Sequence, residues 1–168
     1  VIGGNVFNGA IISESDVYGI YIEDAVSGTI GCGVGASDTA SCKNSFSAIT
    51  ALDGKAYGIY ADAVLEGGVI GGNVFNDAIT ANDYVAYGIY VDGTITGAIS
   101  DNTFDGTIAG SFDGENAALG ISVQGVHDGG VIGGNVFNST IIVDDGGAVG
   151  IIVEGAVSGT ISDNTFNG

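Results

Sequence analysis

The sequence contains no arginine, proline, methionine or tryptophan, and its whole basic complement is two lysines, Lys43 and Lys55. Twenty Asp and Glu set against them give a formal net charge of -18. Nucleic acids and anionic membrane surfaces bind through Lys and Arg, so this balance makes both poor partners, and no nucleic acid and no membrane insertion are expected. Cations, basic proteins and neutral glycans remain. No apolar run approaches the roughly 18 residues of a membrane helix, and no charged-then-apolar leader opens the chain, which reads as soluble. The first residue is Val1, which suggests a processed product or a segment of something longer.

Histidine and cysteine are almost as scarce. A zinc site needs about four ligands, and the chain offers His127, Cys32 and Cys42. The cysteines lie ten positions apart in a Gly/Ser/Ala-rich stretch, and a disulfide is the expected pairing, closing a surface excursion over 31–43. Such a bond implies an oxidising, extracytoplasmic setting, extracellular or at a bacterial or archaeal cell surface.

What is abundant is glycine, 32 of 168 residues, within a chain that is 45% hydrophobic. The glycines lack the period of three that collagen requires, and the apolar content argues against a disordered linker. They mark turns between short strands.

The chain is a tandem repeat. The stretch from Val69 to Asn76, Val-Ile-Gly-Gly-Asn-Val-Phe-Asn, also occupies residues 1–8 and 131–138. Looser copies keep the Ile, the Asn three residues on and the Phe two further, as in Ile99, Asn102 and Phe104. The asparagines are Asn5, Asn44, Asn73, Asn102, Asn135 and Asn164, spaced 39, 29, 29, 33 and 29 residues apart. A Gly-Ile pair alternates with them, at Ile20, Ile59, Ile89, Ile121 and Ile151. The unit is therefore about 29 residues, with five full copies and the start of a sixth. The two longer spacings carry insertions, one holding both cysteines and one absorbed by Gly110 to Gly114.

Within a unit the apolar residues alternate with period two, as in Ile89-Tyr90-Val91, and helix-forming residues are sparse. Each unit reads as three short strands, around Asn-x-Phe, at the following Ile (Ile11, Ile49, Ile79, Ile108, Ile141) and at Gly-Ile-x-Val. A unit of this size cannot bury its apolar face alone. Stacking in parallel ~4.8 Å apart buries it, and predicts an all-β parallel β-helix, a single β-solenoid domain over 1–168 with about five rungs. Phe7, Phe46, Phe75, Phe104, Phe137 and Phe166 would form the core stack, and the asparagines a ladder of amides at a turn.

These phrases, Ile-x-Gly-Asn-x-Phe followed by Gly-Ile-Tyr-Val, resemble the repeat of right-handed parallel β-helices. That class includes pectin-degrading enzymes, phage tailspikes and autotransporter adhesins. The resemblance covers the whole chain and implies fold more than activity.

Two outer features are candidates for function. Tyr21, Tyr60 and Tyr90 take the outward position of the Gly-Ile strand in three successive units, with Tyr18, Tyr57 and Tyr87 just before the Gly-Ile pairs. They form either an interaction face or a ladder that steadies the sheet. Glu23, Asp62, Asp92, Gln124 and Glu154 form an acidic column, read either as a solvated face or as a Ca²⁺ site; the glycine-rich Ca²⁺-binding nonapeptide is missing. No other cofactor is expected.

Enzymatic readings find little. The resemblance implies, for pectin-cleaving chemistry, an Arg base or clustered Asp with His and a basic partner, and only His127 and the Asp144-Asp145 pair supply fragments. His127 reads as a turn residue. Asn138-Ser139-Thr140 matches a glycosylation acceptor but is short enough to arise by chance. The expected function is a non-enzymatic structural or adhesive solenoid of a cell surface, a filament-forming subunit or a slice of a longer repeat protein. Both terminal phrases keep the repeat consensus, which favours association end to end or with neighbouring repeats. The alternative is a carbohydrate-binding or carbohydrate-cleaving β-helix.

Overall fold

A computed structural model describes residues 1–33, 41–111, 117–144 and 146–168. The middle of the expected 31–43 excursion, Phe112, Asp113 and Gly114 of the second insertion, and Asp145 lie outside the described residues.

Among the described residues there are 21 short strands and no helix, arranged as four parallel sheets that wind into a β-solenoid. The first sheet has six strands, including Val74–Phe75 and Thr103–Phe104. The second has five, among them Ile79–Ala81 and Ile108–Gly110. The third holds the long strands Val17–Val26, Ala56–Val64, Ala86–Ile95, Ala118–Val126 and Ala148–Val153. The fourth holds five, among them Val69–Gly71, Ala98–Ser100, Val131–Gly133 and Thr160–Ser162.

Each turn thus has four strands, where the sequence led us to expect three. The phrase from Val69 to Asn76 is two strands, not one: Val69–Gly71 belongs to the fourth sheet and Val74–Phe75 to the first. The chain turns the corner between them at Gly72, whose φ is 63°. Gly4 and Gly134 are also left-handed, and Asp101 and Asp163 take the same role with φ 58°. Asp tolerates this conformation because its short side chain is small and polar. A left-handed residue redirects the backbone and ends the pleat, so a run that reads as one alternating strand becomes a bend.

Equivalent residues pair throughout. Phe104 lies between Phe75 and Phe137, Ile99 between Ile70 and Ile132, and Ile89 between Ile59 and Ile121. The described residues beyond each insertion keep this register, with Ser45 opposite Val6 and Ala118 opposite Ala86. The inward Ile, Val, Ala and Phe side chains make one continuous core, and Phe46, Ile59, Ile70, Ile89 and Ile99 are fully buried.

The Gly-Ile pair has a packing reason. Ala86, Ile89 and Val91 are all buried while Tyr87 and Tyr90 face out, so strict alternation breaks at Gly88 and the strand bends there. A β-carbon on Gly88 would lie 2.6 Å from Cε1 of Phe104, and one on Gly58 equally close to Phe75. The phenylalanine column of the first sheet therefore fits against a glycine column in the third.

Candidate interaction face and the internal ladders

Inside the rod, the corner asparagines form an unbroken chain. The Nδ2 of Asn5, Asn44, Asn73, Asn102 and Asn135 each donates to the Oδ1 of the next asparagine at 2.9 Å. The second amide hydrogen goes back to a main-chain carbonyl, from Asn73 to Ile30 (3.1 Å) and from Asn102 to Ile70 (2.9 Å). Backbone N–H groups of Asn73, Asn102 and Asn135 also donate to the following Oδ1. Asn44, Asn73, Asn102 and Asn135 are fully buried, and this pattern gives each a partner for both ends of its amide. The chain has a direction: from Asn5 to Asn135, each Nδ2 donates toward the higher-numbered rung. Asn164, last in line, keeps the bond to the preceding rung at the Ile132 carbonyl and gives its other hydrogen to the carbonyl of Ser162.

Beside it, Phe7, Phe46, Phe75, Phe104, Phe137 and Phe166 stack with ring centroids 4.6–4.9 Å apart and planes within 10° of parallel. Cys32 and Cys42 are bonded, with Cα atoms 5.1 Å apart. A further column lies directly after the phenylalanines. Asn138 donates to Asp105 Oδ1 (2.8 Å) and Asn167 to Asn138 Oδ1 (2.9 Å), while Asn76 reaches Ser45 Oγ (2.8 Å), just before Phe46. Sequence reasoning passed over it, although a polar residue follows every phenylalanine of the repeat.

Outside, the third sheet carries the tyrosines in two adjoining columns. Tyr18, Tyr57 and Tyr87 stack at 4.8 and 5.0 Å with planes within 4°. Tyr21, Tyr60 and Tyr90 follow at 5.0 and 5.6 Å, tilted by 23° and 38°. The columns meet edge to face, as in Tyr57 against Tyr60 at 5.6 Å. This contact exists because the bend at glycine puts residues three apart on the same outer surface. Tyr57 is buried, Tyr60 and Tyr90 are partly covered, and Tyr21 is half exposed. The columns continue as Leu119 and Val149, and as Ser122 and Ile152.

The acidic column borders these rings. Asp92 accepts from Tyr90 Oη at 2.7 Å and from Tyr60 Oη at 3.4 Å, bridging two rungs. Gln124 donates to Glu154 at 2.9 Å, which places a neutral donor between carboxylates. Burial, with Asp92 and Asp62 beside it, pushes the Tyr60 phenol up to about 12. Burial likewise raises Tyr57, helped by Tyr87, and raises Tyr90, helped by its bond to Asp92. Each phenol therefore stays protonated and remains a donor at neutral pH. Among the described residues, no three His, Cys, Asp or Glu side chains converge closely enough to hold a metal ion. Glu23, Asp62, Asp92 and Glu154 border the tyrosines without forming a cage. His127 is exposed in a turn, its carbonyl accepting from Gly130 N–H at 2.8 Å.

No protein family, no curated protein and no solved structure matches this chain.

Proposed function

We propose that the chain is a non-enzymatic structural or adhesive rod of a cell surface, a segment of a longer repeat protein or a subunit that stacks into a filament. The observation that carries this reading is the directional asparagine chain running through all six corners. Each rung offers the next an amide donor, a stacked ring and open strand edges of the kind it satisfies itself. Another rung of the same type completes it, whether from the same chain or from a second molecule. The features that recur most faithfully thus serve the rod, and none converges on a reacting centre. The disulfide fits an oxidising, extracellular location.

The glycan-binding alternative draws on the tyrosine face. Sugar rings stack on an exposed aromatic face, and here most faces are turned to the next tyrosine, with ring edges and hydroxyls outward. That arrangement weighs toward a lateral packing surface.

Electron microscopy and sedimentation of the purified protein test the proposal. Concentration-dependent rods or fibres are expected. Short particles of 16.5 kDa that never associate, from a gene encoding no further repeats, would sink it. Saturable glycan binding that is lost in Tyr60→Ala would favour the alternative.

A further inference from the structure

The corner between the fourth and first sheets carries a notch on the outer surface. In three successive rungs the residues there are Ser100-Asp101, Gly133-Gly134 and Ser162-Asp163, with Ser100, Gly133 and Ser162 in register. The glycine pair leaves a two-residue gap between two rows of polar side chains, a cleft of about 340 Å³. On the other side of Ser100-Asp101 stands another glycine pair, Gly71-Gly72, but that gap is filled. Cys32 of the disulfide occupies it, with its Cβ 2.9 Å from where a β-carbon of Gly72 would be.

The open notch has an unpaired polar group in its wall. Ser100 is 6% exposed, and its Oγ is buried with no hydrogen-bond partner among the described residues. A buried hydroxyl without a partner is destabilising, so one that turns onto a ligand in the cleft gains an interaction the free protein lacks. Asp101 leans over the gap, its Oδ1 2.6 Å from the position a β-carbon on Gly134 would take. Asp163 flanks the opposite side, while Ala98 and Val131 provide apolar wall.

We propose that this notch binds a primary ammonium on an aliphatic stem, the chemistry of a lysine side chain presented by a partner protein. An ammonium has three donors spread around one point charge, and the notch supplies three acceptors on different sides: Asp101, Asp163 and the Ser100 hydroxyl. A guanidinium is wider and planar and pairs its two parallel bonds with one carboxylate, whereas the compact ammonium turns its donors to several acceptors at once. Calcium takes six to eight oxygens, and two carboxylates with one hydroxyl fall short. Ala98 and Val131 suit the methylene stem. The net charge of -18 draws a basic partner toward the site from a distance.

The test is an amide-resonance NMR titration of the whole chain at neutral pH and fixed ionic strength with n-butylammonium chloride, which is the lysine side chain from its β-carbon outward. Saturable shifts confined to Ser100, Asp101, Gly133, Gly134 and Asp163 are expected. Asp101→Asn, which keeps a residue that tolerates the left-handed backbone, should weaken binding at least fivefold. Ser100→Ala should weaken binding several-fold without lowering the melting temperature, a combination that a purely structural serine would not give. n-Butanol and CaCl₂ at the same concentrations should not saturate. The proposal is overturned if n-butylammonium shows no saturation, if either control saturates the same resonances equally well, or if both variants bind as the parent does.

Discussion

The asparagine and phenylalanine columns run through all six corners without substitution, whereas the tyrosine columns hold for three rungs and then become Leu119 and Val149, and Ser122 and Ile152. Both are ladders of identical side chains about one strand spacing apart. They differ in solvent. A buried amide has only its neighbouring copies to bond with, so replacing one member leaves groups unpaired on both sides. An outward tyrosine that loses its neighbour still has water for its hydroxyl. Repetition inside the rod is enforced rung by rung, and repetition outside it is free to stop.

Breaking the inner columns should therefore cost most. Phe104→Ala removes a ring stacked on both faces and opens the space before Gly88, and should lower unfolding free energy by about 3–5 kcal/mol in urea denaturation. Asn73→Ala strands the Asn44 amide, the Ile30 carbonyl and one bond to Asn102, and should cost about 3 kcal/mol by the same measurement. An unchanged urea midpoint in this variant would contradict the ladder's structural role.

The disulfide lies between the two extremes. Reduction, or Cys42→Ser, should lower stability by about 2–3 kcal/mol, read as a drop in melting temperature on adding reductant.

Smaller effects belong to the outer face. Tyr60→Ala removes ring contacts on a surface that water already reaches, and about 1 kcal/mol is expected from thermal melts. The same face gives a pH signature. An unfolded phenol ionises near pH 10, and Tyr60 is pushed up to about 12 in the fold. Between those values the unfolded state has released the proton that the folded state retains. The stabilisation is fully present below pH 10 and is lost as pH rises toward 12. Ultraviolet titration should show Tyr57, Tyr60, Tyr87 and Tyr90 ionising late in the folded protein and together with the rest in denaturant.

Much of this was legible from the repeat. The columns at Asn5, Asn44, Asn73, Asn102, Asn135 and Asn164, and at the phenylalanines two residues later, follow from identical residues at nearly constant spacing, because parallel stacking puts each copy over the last. The corner at Gly72 was harder to see. Val69 to Phe75 keeps an alternating look although a left-handed residue divides it, and Asp101 and Asp163 fill that role with no glycine to mark it. The notch at Gly133-Gly134 was invisible for another reason. Its walls come from residues about 30 positions apart in the chain, and Gly71-Gly72, the same dipeptide, is closed by a disulfide rather than left open.

The sequence by itself determined the stacking, since a unit that cannot bury its own apolar face must find a copy of itself, and equal spacing dictates which residues meet. Tertiary structure alone decided where each turn bends, which ring faces are hidden and which glycine pair stays open. Those outcomes depend on backbone handedness and on the side chains of the rungs above and below, and neither is written in the residue that shows the effect.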